Sequence, residues 1–159
     1  MQIRTGFGYD AHRLAEGESL ILGGVKLEHS KGTVAHSDGD VLLHAISDAL
    51  LGAAALKDIG THFPDNDPKY KNVDSLNLLR LSYDLVKKQG YQLGNLDATI
   101  ALQQPKIKPF IDQMCFRIAE AIGEPVEKIS VKATTTEKLG FVGKEEGIEA
   151  YASVLIQAI

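Results

Sequence analysis

Five polar residues interrupt an otherwise apolar stretch, "AHSDGDVLLHAISDAL" (residues 35–50): His36, Asp38, Asp40, His44 and Asp48. Imidazoles and carboxylates in such a setting hold a metal ion or a phosphate, or else cap a helix and face water. At about 100° per residue, Asp40, His44, Ser47 and Asp48 share one helical stripe, opposite Leu42, Ala45, Ile46, Ala49 and Ala53. Leu43, Leu50 and Leu51 spread beyond the apolar face, so the polar stripe is partly enclosed. Upstream, "GYDAHR" places Asp10 and His12 two residues apart. In a strand, residues i and i+2 point to one face, so these two side chains would converge. Each half is common by itself, and a lone buried histidine usually bonds a neighbour. Together Asp10, His12 and His44 make an Asp/His/His set. Three protein ligands with an open fourth position are the arrangement of catalytic zinc. A nitrogen/oxygen donor set without cysteine also admits manganese or iron. Asp40 and Asp48 flank His44 at four residues and are candidates to orient ligands from outside. Their plainer roles are an N-cap and a solvated face, and Asp38 reads as a turn or cap residue. His36 and Ser37 precede the helix, where free N–H groups favour an anion. His29 and His62 have no comparable context.

"VKATTTEKLGFVGKEEG" (131–147) is the second chemical stretch. Threonine hydroxyls and backbone N–H groups at a strand end can hold a phosphate. Glu137 can take a hard cation such as magnesium. The plainer reading is a capping box, Thr134-x-x-Glu137. No phosphate-loop or dinucleotide fingerprint is present.

The elements that must position these residues follow from period and punctuation. The sequence predicts a strand over 2–9 ending at Asp10, and two short strands around the Gly-Gly of "LILGGVKL" (20–27). Helices are expected over 39–56, over 74–89 between Asp74 and Gly90, and over 109–122. "FPDNDP" (63–68) is turn chemistry. Further strands are expected over 96–102, 128–134 and 147–159. Strands interleaved with three helices predict an α/β (α+β) sandwich with helices on one sheet face. The bare face suggests a homo-oligomer.

One domain is expected from 159 residues. A hydrophobic content of 44% supplies a core, and 24% charged residues exclude a disordered composition. The net charge of −4 gives no basic footprint for nucleic acid. An anionic substrate must therefore be held by local donors or metal. A lone Cys115 excludes an internal disulfide and fits a reducing compartment. No apolar run reaches the length of a membrane span. "MQIRTGFGYD" lacks a hydrophobic signal core, so a cytoplasmic chain is expected.

"GYDAHR", "AHSDGDVLLHAISDALLGAAALKDIGTHFPD" and "VKATTTEKLGF" together resemble the 2-C-methyl-D-erythritol 2,4-cyclodiphosphate synthase family of the non-mevalonate isoprenoid pathway. The likeness covers nearly the whole chain. It implies a ferredoxin-like sandwich in a homotrimer with active sites between subunits. It also implies cyclisation of 4-diphosphocytidyl-2-C-methyl-D-erythritol 2-phosphate with release of CMP. By motif, Asp10, His12 and His44 match zinc (or manganese) ligands. Glu137 matches the residue that binds magnesium or manganese at the diphosphate. His36 and Thr135 match the pair that polarises the phosphates. Asp58, Gly60, Phe63, Asp65 and Asp67 match the methylerythritol pocket. Leu102 to Lys108, including Lys106, with Thr134, match a cytidine-phosphate pocket from the neighbouring subunit. Phe141 and Lys144 match a loop near the substrate and the trimer axis. Lys144 stands where the family often has arginine; it keeps the charge and loses the bidentate fork. That bears on an isoprenoid diphosphate in the axial cavity.

Two other functions suit parts of this pattern. A zinc phosphohydrolase would use the same three ligands with water as nucleophile. A non-enzymatic trimer could bind an isoprenoid diphosphate on its axis. Product identity separates the first from the synthase, and stoichiometric zinc separates the second.

Overall fold

The strand that carries Asp10 and His12 is longer than its sequence suggests. In the computed structural model, which describes residues 2–159, β1 (Ile3–Glu16) continues past Asp10. It is not cut at Asp10 because Ala11–Arg13 pair with Gly147–Glu149, and Leu14–Glu16 with Lys31–Thr33. The two-residue alternation therefore holds across the whole "YDAH" segment. Odd-numbered residues from Ile3 to Arg13 are exposed, whereas Gly8 and Leu14 are buried and Asp10 and His12 half-buried.

β2 (Leu20–Leu22) and β3 (Val25–Leu27) form the expected hairpin about Gly23 and Gly24. β4 (Lys31–Thr33) pairs with the end of β1. Its three residues carry no alternation, which is why the sequence did not announce it. α1 (Val41–Ala53) is shorter than the expected 39–56, because the Asp40 side chain caps it by accepting the Leu43 N–H at 3.1 Å. α2 (Ile59–His62) and a 3-10 turn at Pro68–Tyr70 occupy the loop region around "FPDNDP". α3 (Ser75–Lys88) starts at its expected cap, where Asp74 accepts the Leu76 N–H at 2.8 Å. β5 (Tyr91–Ala101) begins at Tyr91 rather than Leu96. Gly94 and Asn95 hide its first half in the sequence, and a register shift between Leu93 and Asn95 absorbs them. α4 (Ile111–Ile122) ends at left-handed Gly123. β6 (Ile129–Thr134), α5 (Gly140–Gly143) and β7 (Gly147–Ala158) complete the chain.

The five-stranded sheet has the order β4-β1-β7-β5-β6. β5 and β6 are parallel with α4 as their crossover; the other pairs are antiparallel. The fold is thus mixed α/β. β7 is central, and its inward residues Ile148, Ala150, Ala152, Val154 and Ile156 are all buried. α1 lies against β1 and β7, α4 against β6, and α3 against both helices and β5. The opposite sheet face leaves Ile3, Phe7, Tyr9 and Tyr151 exposed.

The contact that matters for the site is α1 on β1. A Cβ placed on Gly8 would lie 1.9 Å from the Ala45 carbonyl oxygen, and one on Gly6 2.0 Å from that of Ala49. Glycine on the strand and alanine on the helix let the two backbones touch. Any side chain there would lift the helix.

Candidate metal centre

His44 precedes Ala45, so the seating of α1 on Gly8 carries its ring to Asp10 and His12. His12 Nε2 lies 2.9 Å from Asp10 Oδ2, and His44 Nδ1 lies 3.1 Å from the same oxygen. The two ring nitrogens are 3.4 Å apart. Donors at the corners of a tetrahedron with bonds of about 2.0 Å would be about 3.3 Å apart. These three atoms, one carboxylate and two imidazoles, fit such an ion with a corner left for substrate or water.

The electrostatics point the same way. Burial raises the Asp10 pKa, but hydrogen bonds and charge from His12 and His44 outweigh it and hold the carboxyl at about 2. Burial works against a charged His44 ring, but the hydrogen bond and charge of Asp10, with Asp40 and Asp38 further off, leave its pKa raised. A cation is therefore favoured between these groups, whether a proton or a metal.

On its far side, His44 Nε2 lies 3.0 Å from Ser75 Oγ. Ser75 Oγ in turn donates to Asp38, and the Ser75 N–H donates to Asp38 Oδ2 at 2.9 Å. Asp38, expected to be a turn or cap residue, is thus linked to a candidate ligand.

Asp40 and Asp48 were expected to orient ligands, and their carboxylates bond elsewhere. Asp40 accepts the N–H groups of Gly23 (3.0 Å), Gly24 (2.8 Å) and Leu43 (3.1 Å). It pins the β2–β3 turn to the start of α1. Burial pushes its carboxyl up to about 6 against these three bonds. Asp48 accepts the Ile59 N–H at 2.9 Å and ties α2 to α1. Helical spacing put both on the His44 stripe, but backbone donors from the β2–β3 turn, from α1 itself and from the start of α2 occupy them.

A cavity of about 670 Å³ opens beside the two candidate ligand histidines. It brings together His12, His36, Ser37, His44, Gly60, Phe63 and Asp65 from the expected set. Asp58 and Asp67 do not line it; they cap α2 and the 3-10 turn that shape its wall, accepting from Thr61 and Lys69.

The remaining candidates form a second cluster. Leu102 N–H bonds Thr134 O at 2.9 Å, and Lys138 N–H bonds Gln103 Oε1 at 3.2 Å. The loop with Lys106 and Lys108 thereby meets the loop with Thr134, Thr135 and Glu137. The capping box does not form. Glu137 takes a positive φ of 53°, its N–H donates to Thr135 Oγ1 at 3.2 Å, and the next helix begins only at Gly140. Register places both clusters at one end of the sheet. His12 faces Ile148 on β7, while Ala101 on β5 faces Glu149 on one side and Thr134 on the other. Three strand spacings of about 4.8 Å separate β1 from β6, roughly 14 Å. The residues of the second cluster do not line the 670 Å³ cavity. Phe141 lines a separate depression with His12, Arg13 and Lys31; Lys144, just after α5, is exposed.

The model of the YgbB family matches residues 3–157. The chain belongs to the YgbB family. Among its relatives, the 2-C-methyl-D-erythritol 2,4-cyclodiphosphate synthase of Porphyromonas gingivalis is 63% identical over 98% of this chain and 96% of its own length. The bifunctional IspDF of Campylobacter jejuni superposes with a TM-score of 0.95 at 46% identity, over 99% of this chain. This chain spans 43% of that longer one. IspF of Plasmodium falciparum, solved as a CDP complex, superposes with a TM-score of 0.86 at 38% identity, over 98% of this chain and 96% of that one.

For this YgbB-family chain, Asn66, Tyr70 and Lys71 also line the cavity, unmarked in the sequence beyond the turn chemistry around them. Ser75 carries no spacing signal either. It stands 31 positions from His44, and only the packing of α3 on α1 brings them together.

Proposed function

We propose that the chain converts 4-diphosphocytidyl-2-C-methyl-D-erythritol 2-phosphate into 2-C-methyl-D-erythritol 2,4-cyclodiphosphate and CMP, as a metal-dependent phosphorus–oxygen lyase of isoprenoid precursor synthesis. The observation that carries this is the convergence of Asp10, His12 and His44 at a cavity lined by His36 and Ser37. The names of the relatives, and the CDP complex of the P. falciparum protein, support a cytidine diphosphate substrate.

A 2-phosphate oxygen attacks the β-phosphorus in line. The bond from that phosphorus to the bridging oxygen breaks, and its electron pair leaves with CMP. The nucleophile is already an anion, so positioning and charge neutralisation suffice and no strong base is required. Zinc or manganese on Asp10, His12 and His44, and magnesium or manganese at Glu137, supply Lewis-acid polarisation of the diphosphate when bound. His36 and Thr135 donate hydrogen bonds to oxygens that gain charge. Asp58, Gly60, Phe63, Asp65 and Asp67 shape the methylerythritol pocket. Leu102, Lys106, Lys108 and Thr134 hold the cytidine phosphate, with Phe141 and Lys144 nearby.

The separation of the two clusters supports completing each site with a neighbouring copy in a homotrimer. So does the bare sheet face, with Phe7 66% exposed. A cytoplasmic enzyme fits the single free cysteine, which is buried. None of the described helices is long and apolar enough to cross a membrane.

The test is incubation with the cytidyl substrate and magnesium, with CMP release followed before and after chelation. Phosphorus NMR should show a cyclic diphosphate. A linear phosphate product would make the chain a phosphohydrolase instead, and activity indifferent to chelation would remove the metal from the reading.

A further inference from the structure

The far side of His44 has a direction that donor counting resolves. Ser75 Oγ touches two groups, His44 Nε2 at 3.0 Å and Asp38 Oδ1, and is fully buried. A hydroxyl has one proton to give. An ionised carboxylate only accepts, so the Ser75 proton must point to Asp38. Ser75 Oγ then faces His44 with a lone pair, and His44 must donate its Nε2–H to it. Asp38 is held for this task from two sides: the Ser75 N–H donates to Oδ2 at 2.9 Å, and the Asp40 N–H donates to Oδ1 at 3.2 Å.

We propose that Asp38 and Ser75 are positioning residues that fix the ligating tautomer of His44, so that Nδ1 presents its lone pair toward Asp10 and His12. The proposal rests on the metal-site reading above. It adds two residues from outside the ligand stripe, one in the loop before α1 and one opening α3. It also explains why a fully buried serine begins a helix whose cap is already supplied by Asp74. A histidine ligand commonly needs such a partner on its other ring nitrogen to set orientation and basicity. Here the partner is a hydroxyl that a carboxylate has polarised. Polarity along the chain runs one way, from ring N–H to hydroxyl to carboxylate.

Two variants probe this differently. Ser75→Ala deletes the acceptor. Asp38→Asn offers Ser75 an N–H, which turns the hydroxyl proton toward His44 and favours the wrong tautomer. Zinc affinity, by chelator competition, should weaken about 10–100-fold in both. Ser75→Thr, which keeps the hydroxyl, should bind zinc more tightly than Ser75→Ala. A readout on the unmodified chain makes the proposal independent of whether variants fold. In zinc-loaded protein labelled at histidine nitrogen, His44 Nε2–H should appear as a downfield, slowly exchanging proton. Absence of that proton, or equal zinc affinity in Ser75→Ala, Asp38→Asn and the unmodified chain, overturns the relay alone. Failure of the unmodified chain to bind stoichiometric zinc overturns the site reading and the relay with it.

Discussion

Gly8 and Ala45 meet backbone to backbone: a Cβ on Gly8 would stand 1.9 Å from the Ala45 carbonyl oxygen. His44 immediately precedes Ala45 in α1, so this contact sets the distance between the helix-borne candidate ligand and the two on β1. Gly8→Ala should cost about 1–3 kcal/mol as an overpacked core substitution. It should also weaken zinc binding by displacing α1. Denaturant unfolding and metal analysis on the same sample check both, and a variant with unchanged zinc affinity would detach the ligand geometry from this contact.

His44→Ala and His12→Ala each remove one of three donors. Both should lose stoichiometric zinc and CMP release together, by more than the 10–100-fold expected for an outer partner. Metal content and turnover measured in parallel decide it. Full activity in zinc-free His44→Ala protein would sink the assignment.

Zinc affinity should rise with pH. Burial disfavours the charged His44 ring, but Asp10 overcomes this and leaves its pKa raised. A ligating ring must surrender its Nδ1 proton, so protons compete with metal below that raised value. The metal-free chain behaves oppositely. Its charged His44 stabilises fully below the unfolded value of about 6.5 and loses that contribution as pH rises through the folded pKa. The lowered pKa of Asp10 contributes above its unfolded value of about 3.9, and this is lost as pH falls toward about 2. The pair therefore helps the metal-free fold most between about pH 4 and 6.5, and zinc should add most to the melting temperature above that window. Melting curves with and without zinc, from about pH 5 to 8, test the sign.

Asp40→Ala should destabilise by about 2–4 kcal/mol, from a lost N-cap and buried N–H groups left without partners at Gly23 and Gly24. Zinc stoichiometry should persist in the folded fraction. Loss of zinc without loss of stability would return Asp40 to the ligand-orienting role its helical spacing suggested.

Glu137→Gln should raise the magnesium concentration needed for half-maximal CMP release while leaving zinc content intact. The substitution keeps the side-chain length in an exposed, positive-φ position and removes only the charge. An unchanged magnesium titration would take the second cation away from this residue.

The sequence by itself picked out the candidate ligand set that the fold brings together. Asp10 and His12 needed only strand alternation, His44 only a helical stripe, and the long motifs around them carried the family. It determined the helix cap at Asp74 as well, and offered Asp40 as a cap beside its ligand-orienting role, because capping is local chemistry between residues a turn apart. It did not determine the length of β1 or the start of β5. Those depend on partners far along the chain, which hold Ala11–Arg13 extended and absorb the register shift at Gly94. Nor did it assign the acidic residues of the helix correctly. Spacing placed Asp40 and Asp48 on the His44 stripe, and only tertiary packing revealed the Gly23, Gly24 and Ile59 N–H groups that occupy them. The same packing gave His44 its partner in Ser75. Period along one element predicts which residues share a face. Which donors arrive at that face from other elements is decided by how the glycine-floored contact of α1 on β1, and α3 on α1, close the space around it.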